Sequence, residues 1–140
     1  MKKIVFDSYA LIALFRQEPG HEFVRDLLVK MANDESEGYI TAINVGEIYY
    51  MISRKSSTKN AEIAITAIKQ MPIHIVEPDL QMCLEAAAIK AKHSLSYADA
   101  FAAALTINKK AILITGDDEF ESLVGETGFK VRYINESNKL

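Results

Sequence analysis

Short, unbroken apolar runs alternate along this chain with longer stretches in which apolar residues return every three or four positions. The runs lie at 4–6 (IVF), 38–41 (GYIT), 73–76 (IHIV), 111–115 (AILIT) and 130–134 (KVRYI). Being continuous rather than alternating, they fit strands covered on both faces. The stretches between them carry helical spacing. Leu11, Leu14 and Phe15 share one face, and Phe23, Leu27, Leu28 and Met31 follow a start signal at Pro19-Gly20. Val45, Ile48, Tyr49 and Ile52 form the next stripe, then Ile63, Ile65, Ala67 and Ile68. Pro78-Asp79 opens a further helix with Leu80, Leu84, Ala87, Ala88 and Ala91 in step. Residues 96–107, SYADAFAAALTI, contain no glycine or proline and read as the clearest helix, while Phe120, Leu123 and Val124 mark a short one before the last run. Strands separated by helices predict an α/β fold with a parallel sheet and right-handed crossovers. No repeat, low-complexity tract or linker breaks the pattern.

Composition narrows the picture only modestly. With 140 residues, 49% apolar and 25% charged, the chain has the size and make-up of one soluble globular domain. A formal charge of −3 offers no overall attraction for polyanions, so nucleic-acid binding would need a local basic patch or a partner that supplies one. The one cysteine, Cys83, has no disulfide partner and sits in an apolar helix pattern as a buried thiol. MKKIVFD reaches an acid after three apolar residues, so no signal peptide is expected. The longest apolar tract is interrupted at Asn108, Lys109 and Lys110, well short of the roughly 20 residues that a membrane span needs. A cytoplasmic location follows as the expectation.

Four acids change the picture more. Asp7 follows the first run, Glu47 lies in TAINVGEI after the second, Asp99 in SLSYADAF, and Asp117 after the fourth run in ILITGDDEF. Taken singly, each reads as a helix cap. Acids suit a first helical turn, and Ser96-x-x-Asp99 and Asn44-x-x-Glu47 both resemble capping boxes. Taken together they read differently. The carboxyl ends of parallel strands share one edge, where open α/β sheets bind ligands. Asp7 and Asp117 would project there from strand ends, Glu47 and Asp99 from first helical turns. Carboxylates gathered in one crevice repel one another, and a hard divalent cation, Mg²⁺ or Mn²⁺, is the economical neutraliser. His21, His74 and His93 lack zinc-site spacing, and no nucleophile elbow or phosphate loop is present.

The segments IVFDSYALIALF, NVGEI, LSYADAFAAALT and ILITGDDEF, in this order, resemble the PIN-domain ribonucleases, and especially the VapC-type toxins of toxin–antitoxin pairs. The resemblance covers the chain as one PIN-like domain, 1–140. It implies a three-layer α/β/α fold with a five-stranded parallel sheet flanked by helices. Its acidic pocket would bind Mg²⁺ or Mn²⁺ and hydrolyse RNA phosphodiesters. The family's acids fall on Asp7, Glu47, Asp99 and Asp117, with Asp7, Asp99 and Asp117 as metal ligands. Ser8 and Thr115 match hydroxyls that hold the pocket in shape. Asp118 and Glu119 adjoin the fourth acid, and either could share its role. Tyr9 stands where many relatives carry a smaller residue, which bears on pocket shape and substrate choice.

The same resemblance implies a cognate antitoxin that blocks the pocket, and a homodimer. Tyr49, Tyr50, Ile63 and Ile65 would line a groove for the antitoxin's amphipathic helix, or else belong to the core. Among Arg16, Arg54, Lys55, Lys59, Lys90, Lys92, Lys109 and Lys110, the pair Arg54 and Lys55 is the best candidate for contacting RNA phosphates. A non-catalytic PIN-fold module that binds RNA or protein is the nearest rival, though such a module has no need of four mutually repelling acids. A haloacid-dehalogenase-type phosphotransferase would want an acid where Tyr9 stands, and a receiver domain would want paired acids after the first strand.

Overall fold

The computed structural model describes residues 1–135. Strands β1 (Lys2–Phe6), β2 (Ser36–Thr41), β3 (Ile73–Val76), β4 (Ile112–Thr115) and β5 (Val131–Tyr133) form one sheet in the order β3-β2-β1-β4-β5. Every neighbouring pair is parallel. Helices α1 (Ser8–Arg16), α2 (His21–Ala32), α3 (Ala42–Lys55) and α4 (Thr58–Gln70) separate the first three strands, and α5 (Leu80–Lys92) and α6 (Tyr97–Lys109) separate β3 from β4. A 3₁₀ helix, Asp118–Leu123, precedes β5. This is the α/β fold with a parallel sheet that the alternation of runs and stripes predicts, in the three-layer, five-stranded form that the family resemblance implies.

Two cores flank the sheet. Ile4, Phe6, Ile40 and Ile114 face α1 to α4, whereas Val5, Tyr39 and Leu113 face α5, α6 and the 3₁₀ helix. Because β1 is central, both faces of its Ile4-Val5-Phe6 segment are buried, which is why that run is continuous in apolar character. The chain winds one way through β1, β2 and β3 and the other way through β4 and β5. The reversal places the sheet's switch point between the carboxyl ends of β1 and β4.

Several boundaries and faces differ from those expected. β2 starts two residues earlier, at Ser36, and β5 stops at Tyr133, although Ile134 remains buried and its N–H bonds the Thr115 carbonyl at 2.9 Å. Val124 ends the 3₁₀ helix in solvent rather than packing beneath it. Cys83 is only partly buried. The largest difference is α5. Its expected apolar stripe faces outward, with Leu80 73% and Leu84 59% exposed and Ala87, Ala88 and Ala91 on the surface. Met82 and Ala86 are buried instead. The reason is layering: alanine-rich α6, buried from Asp99 to Thr106, occupies the sheet face, and α5 packs on α6 through a narrow strip. In a helix apolar on nearly every side, periodicity cannot choose the buried one.

Candidate active site

The register aligns Phe6 with Ile114, so Asp7 and Thr115 emerge side by side at the carboxyl edge. Asp7 is a helix cap, its Oδ1 accepting the Ala10 N–H at 2.9 Å to start α1. Its other oxygen, Oδ2, accepts a hydrogen bond from the Thr115 hydroxyl across 108 positions of chain. Thr115 Oγ1 in turn accepts the Asp117 N–H at 2.9 Å, and Asp117 Oδ1 accepts the Glu119 N–H at 2.9 Å. One threonine at the end of β4 thereby fixes two acids, and the turn that Asp117 caps brings Glu119 in beside them.

Glu47 and Asp99 arrive by a different route. The cap of α3 is Thr41, whose Oγ1 accepts the Asn44 N–H at 3.0 Å, so Asn44 is inside the helix and the expected Asn44–Glu47 capping box does not form. Glu47 therefore projects from the second turn rather than the first. The fully buried Asn44 side chain serves as a tie between helices, its Nδ2 donating to the Ala98 carbonyl at 3.3 Å and so joining the start of α3 to the start of α6. Ser96 caps α6 by accepting the Asp99 N–H at 3.1 Å, as its spacing predicts. Glu47 is held by the Ser8 hydroxyl, which donates to Oε1.

Asp7, Glu47, Asp99 and Asp117 line one pocket of about 280 Å³, together with Ser8, Tyr9 and Glu119. Ligand oxygens of Asp99, Asp117 and Glu119 lie within 4.8 Å of one another. Asp118 is exposed and outside the pocket lining, so of the two acids beside Asp117 it is Glu119 that joins the group. Glu18 also reaches the wall, although it pairs with Arg16 at 3.1 Å. Lys55 is the cation in the lining, whereas Arg54 stacks over the Tyr50 ring at 5.1 Å. Thr115 supports the pocket from below without lining it. His21, His74 and His93 are all elsewhere: His21 bonds the Glu18 carbonyl, His74 stacks on Tyr39, and His93 pairs with Glu126.

Burial and crowding govern the electrostatics. Asp7 is buried, and desolvation, outweighing its bonds from Thr115 and Ala10, raises its pKa from 3.8 to about 7, with Asp117 and Glu47 adding like-charge repulsion. Asp99 rises to about 9, again by desolvation first, then by its hydrogen bond with Glu119 and by repulsion from Asp117, Asp7 and Glu47. Protein donors alone therefore leave Asp99 protonated at neutral pH and Asp7 only partly ionised. The lining supplies carboxylate oxygens with no histidine or cysteine, which is the donor chemistry of a hard cation such as Mg²⁺ or Mn²⁺ and unsuited to zinc.

Tyr9, 42% exposed, forms one wall. Its ring lies against Gly116, where an added Cβ would fall 2.3 Å from Cε1. The glycine following Thr115 is thus the space the ring occupies.

A parallel α/β sheet with carboxylates converging at its switch point defines a class of acid-pocket domains. Within that class the chain belongs to the PIN domain family, matching it over residues 4–126. Its fold is shared with the DNA-bound VapBC complex from Salmonella typhimurium, with a TM-score of 0.74 and 16% identity over 96% of this chain and 99% of that one. VapBC2 from Rickettsia felis, bound to a DNA fragment from its promoter, gives 0.73 and 11%, covering 94% and 98%. VapC20 of Mycobacterium tuberculosis, described as a toxin that cleaves the sarcin-ricin loop, gives 0.69 and 18%, covering 84% and 92%. A search of curated proteins finds no match to this chain.

Proposed function

We infer that the protein is a divalent-cation-dependent endoribonuclease, the toxin of a type II toxin–antitoxin pair. The observation that carries this reading is the convergence of Asp7, Glu47, Asp99, Asp117 and Glu119 in one pocket of a PIN fold. Structural neighbours named as VapBC complexes and as a VapC toxin that cleaves the sarcin-ricin loop support it. Asp7, Asp99 and Asp117, with Glu119 beside them, would hold Mg²⁺ or Mn²⁺. The chemistry such a cation supplies when bound is activation of water and neutralisation of charge developing on the phosphate. The chain's own groups do the rest. Thr115 fixes the Asp7 carboxylate, Ser8 aims Glu47, and Glu47 orients the attacking water and accepts its proton. Lys55 at the rim holds a neighbouring phosphate. Purified protein should cut RNA in Mg²⁺ or Mn²⁺ and stop in EDTA. RNA bound but uncut under both conditions would favour a non-catalytic PIN module.

Tyr9 and Gly116 shape the substrate side of the pocket. An alanine at 116 drives the Tyr9 ring toward solvent, so Gly116→Ala should change KM for RNA as Tyr9→Ala does, and the double variant should be no worse than either. Additive effects would show that the two act separately.

The antitoxin reading rests on α3 and α4. Tyr49 and Tyr50 are exposed and Ile63 is 58% exposed, while Ile65 packs partly into the core. Beside them Phe15, Ile52, Asn60 and Ile63 line a groove of about 240 Å³, of a kind that accepts the apolar face of a helix. Ile63→Asp should weaken binding of the cognate antitoxin at least tenfold, about 1.4 kcal/mol, and leave RNA cleavage unchanged. Undiminished inhibition by that antitoxin would remove this groove from the interface.

A further inference from the structure

The edge of the sheet opposite the acids carries an equally one-sided charge. Lys2 and Lys3 begin β1, Lys109 and Lys110 end α6 just ahead of β4, and Lys130 precedes β5. These five lysines line one hollow of about 260 Å³, with Met1 and Ile112 completing it and no acid in the lining among the described residues. None of them forms a salt bridge among the described residues. The nearest acid across the strand pair, Glu37 opposite Lys3, is engaged by the Tyr39 hydroxyl at 2.8 Å. Lys109 rests over the Tyr39 ring at 4.8 Å, which fixes one charge in place. An adjoining groove shares Lys2 and Ile112 and adds Lys30 and Arg132, but there Asp26 and Glu35 offset the charge. Five of the chain's 16 lysines and arginines meet in this hollow, and without them the formal charge of −3 would be −8.

Two of these lysines have a local explanation, because cations at the end of α6 complement its dipole. Lys2, Lys3 and Lys130 have none. Parallel strand starts bring them to the same edge as Lys109 and Lys110, at a cost in mutual repulsion that a polyanion would relieve.

We propose that this hollow is a second RNA-binding site that grips phosphates of the substrate on the side of the protein away from the cutting pocket. It takes from the proposed function only that the polyanion is RNA. Lysines are point charges that accept phosphate from many directions, as backbone binding without sequence requires. Lysine is depleted from protein–protein contacts, and a hollow fits discrete phosphates better than the plane of a bilayer. The need is evident at the other edge, where the pocket is acidic and Lys55 is the one lining cation among the described residues. The five-residue β1 separates the sites by roughly 16 Å, a distance that a folded RNA spans.

The test uses the full chain in EDTA, so that binding is read without cleavage. Anisotropy of a labelled single-stranded RNA oligonucleotide is followed against salt for wild type, Lys109→Gln/Lys110→Gln, and the quadruple variant that adds Lys3→Gln and Lys130→Gln. The quadruple variant should bind at least about tenfold more weakly and its salt slope should fall by two or more, at about 0.7 per lost phosphate contact. The double variant, which leaves the strands untouched, should show about half that fall in slope. Cleavage of a short oligonucleotide at saturating concentration should be unchanged, which separates failure of this site from failure of the nuclease reading. An unaltered slope in both variants would overturn the proposal. So would loss of binding to phosphatidylserine vesicles or to polyglutamate with RNA binding intact, since the hollow would then serve a membrane or an acidic protein.

Discussion

Asp7→Asn and Asp99→Asn are each expected to lower RNA cleavage at least about a hundredfold, equivalent to about 2.7 kcal/mol of transition-state stabilisation, with the fold retained. For Asp7 the reasoning separates two duties of one side chain. Asparagine is as good a helix cap as aspartate, so the bond from the Ala10 N–H survives and α1 still starts at Ser8. The amide can also meet Thr115, whose hydroxyl reverses from donor to acceptor. What asparagine cannot supply is charge. For Asp99 the cap belongs to Ser96, so substitution leaves the helix start intact and removes an anion from beside Asp117 and Glu119. Steady-state cleavage rates, read beside circular dichroism, check both. Wild-type rates in the two variants would sink the assignment of the pocket.

The second large effect concerns pH and metal. A carboxyl raised from 3.8 to about 7 is disfavoured in its ionised form by roughly 4 kcal/mol when fully desolvated. The sign follows from proton counting. Below about pH 4 both folded and unfolded chains hold the proton, and Asp7 does not affect stability. As pH rises toward 7 the unfolded chain releases it while the folded chain keeps it, so stability falls, and Asp99 extends the fall toward pH 9. Metal-free protein should therefore melt at lower temperature near pH 8 than near pH 5, whereas Mg²⁺ or Mn²⁺ should raise Tm near pH 8 and do little near pH 5. Asp99→Asn should melt above wild type in EDTA near pH 8 and gain less from metal. Thermal melts with and without EDTA decide it; a Tm independent of pH across this window would contradict the strained pocket.

The sheet was legible where its strands are covered on both faces, as IVF and most of ILIT are; IHIV reads the same way, yet as edge strand β3 it leaves His74 and Ile75 exposed. The acids were legible for a topological reason, since parallel strands deliver whatever follows them to one edge. Less visible were features set by packing between helices. Nothing local to LQMCLEAAAIKAK says that α6 takes the sheet and leaves Leu80 and Leu84 outside. Asn44 looked like a cap because it precedes Glu47 by three, yet Thr41, the last residue of the preceding strand, takes that place and frees Asn44 to clasp Ala98. Glu119 could be suspected from adjacency alone, and only the turn capped by Asp117 distinguishes it from Asp118. Lys2, Lys3 and Lys130 escaped notice because each is an ordinary strand-flanking lysine; their meeting with Lys109 and Lys110 is a property of the sheet.

The bond between Thr115 and Asp7 closes a loop of 108 positions, and β1 finds its neighbour β4 only after everything between them exists. At about 5–20 residues per second, synthesis takes on the order of 5–20 s to travel from one acid to the other. Throughout that interval the growing polypeptide has a first acid and no fourth, and a fragment that stops short of β4 lacks the completed pocket. A pocket of this kind is therefore incomplete until β4 and the turn after it have been made, however early its first acid is in place.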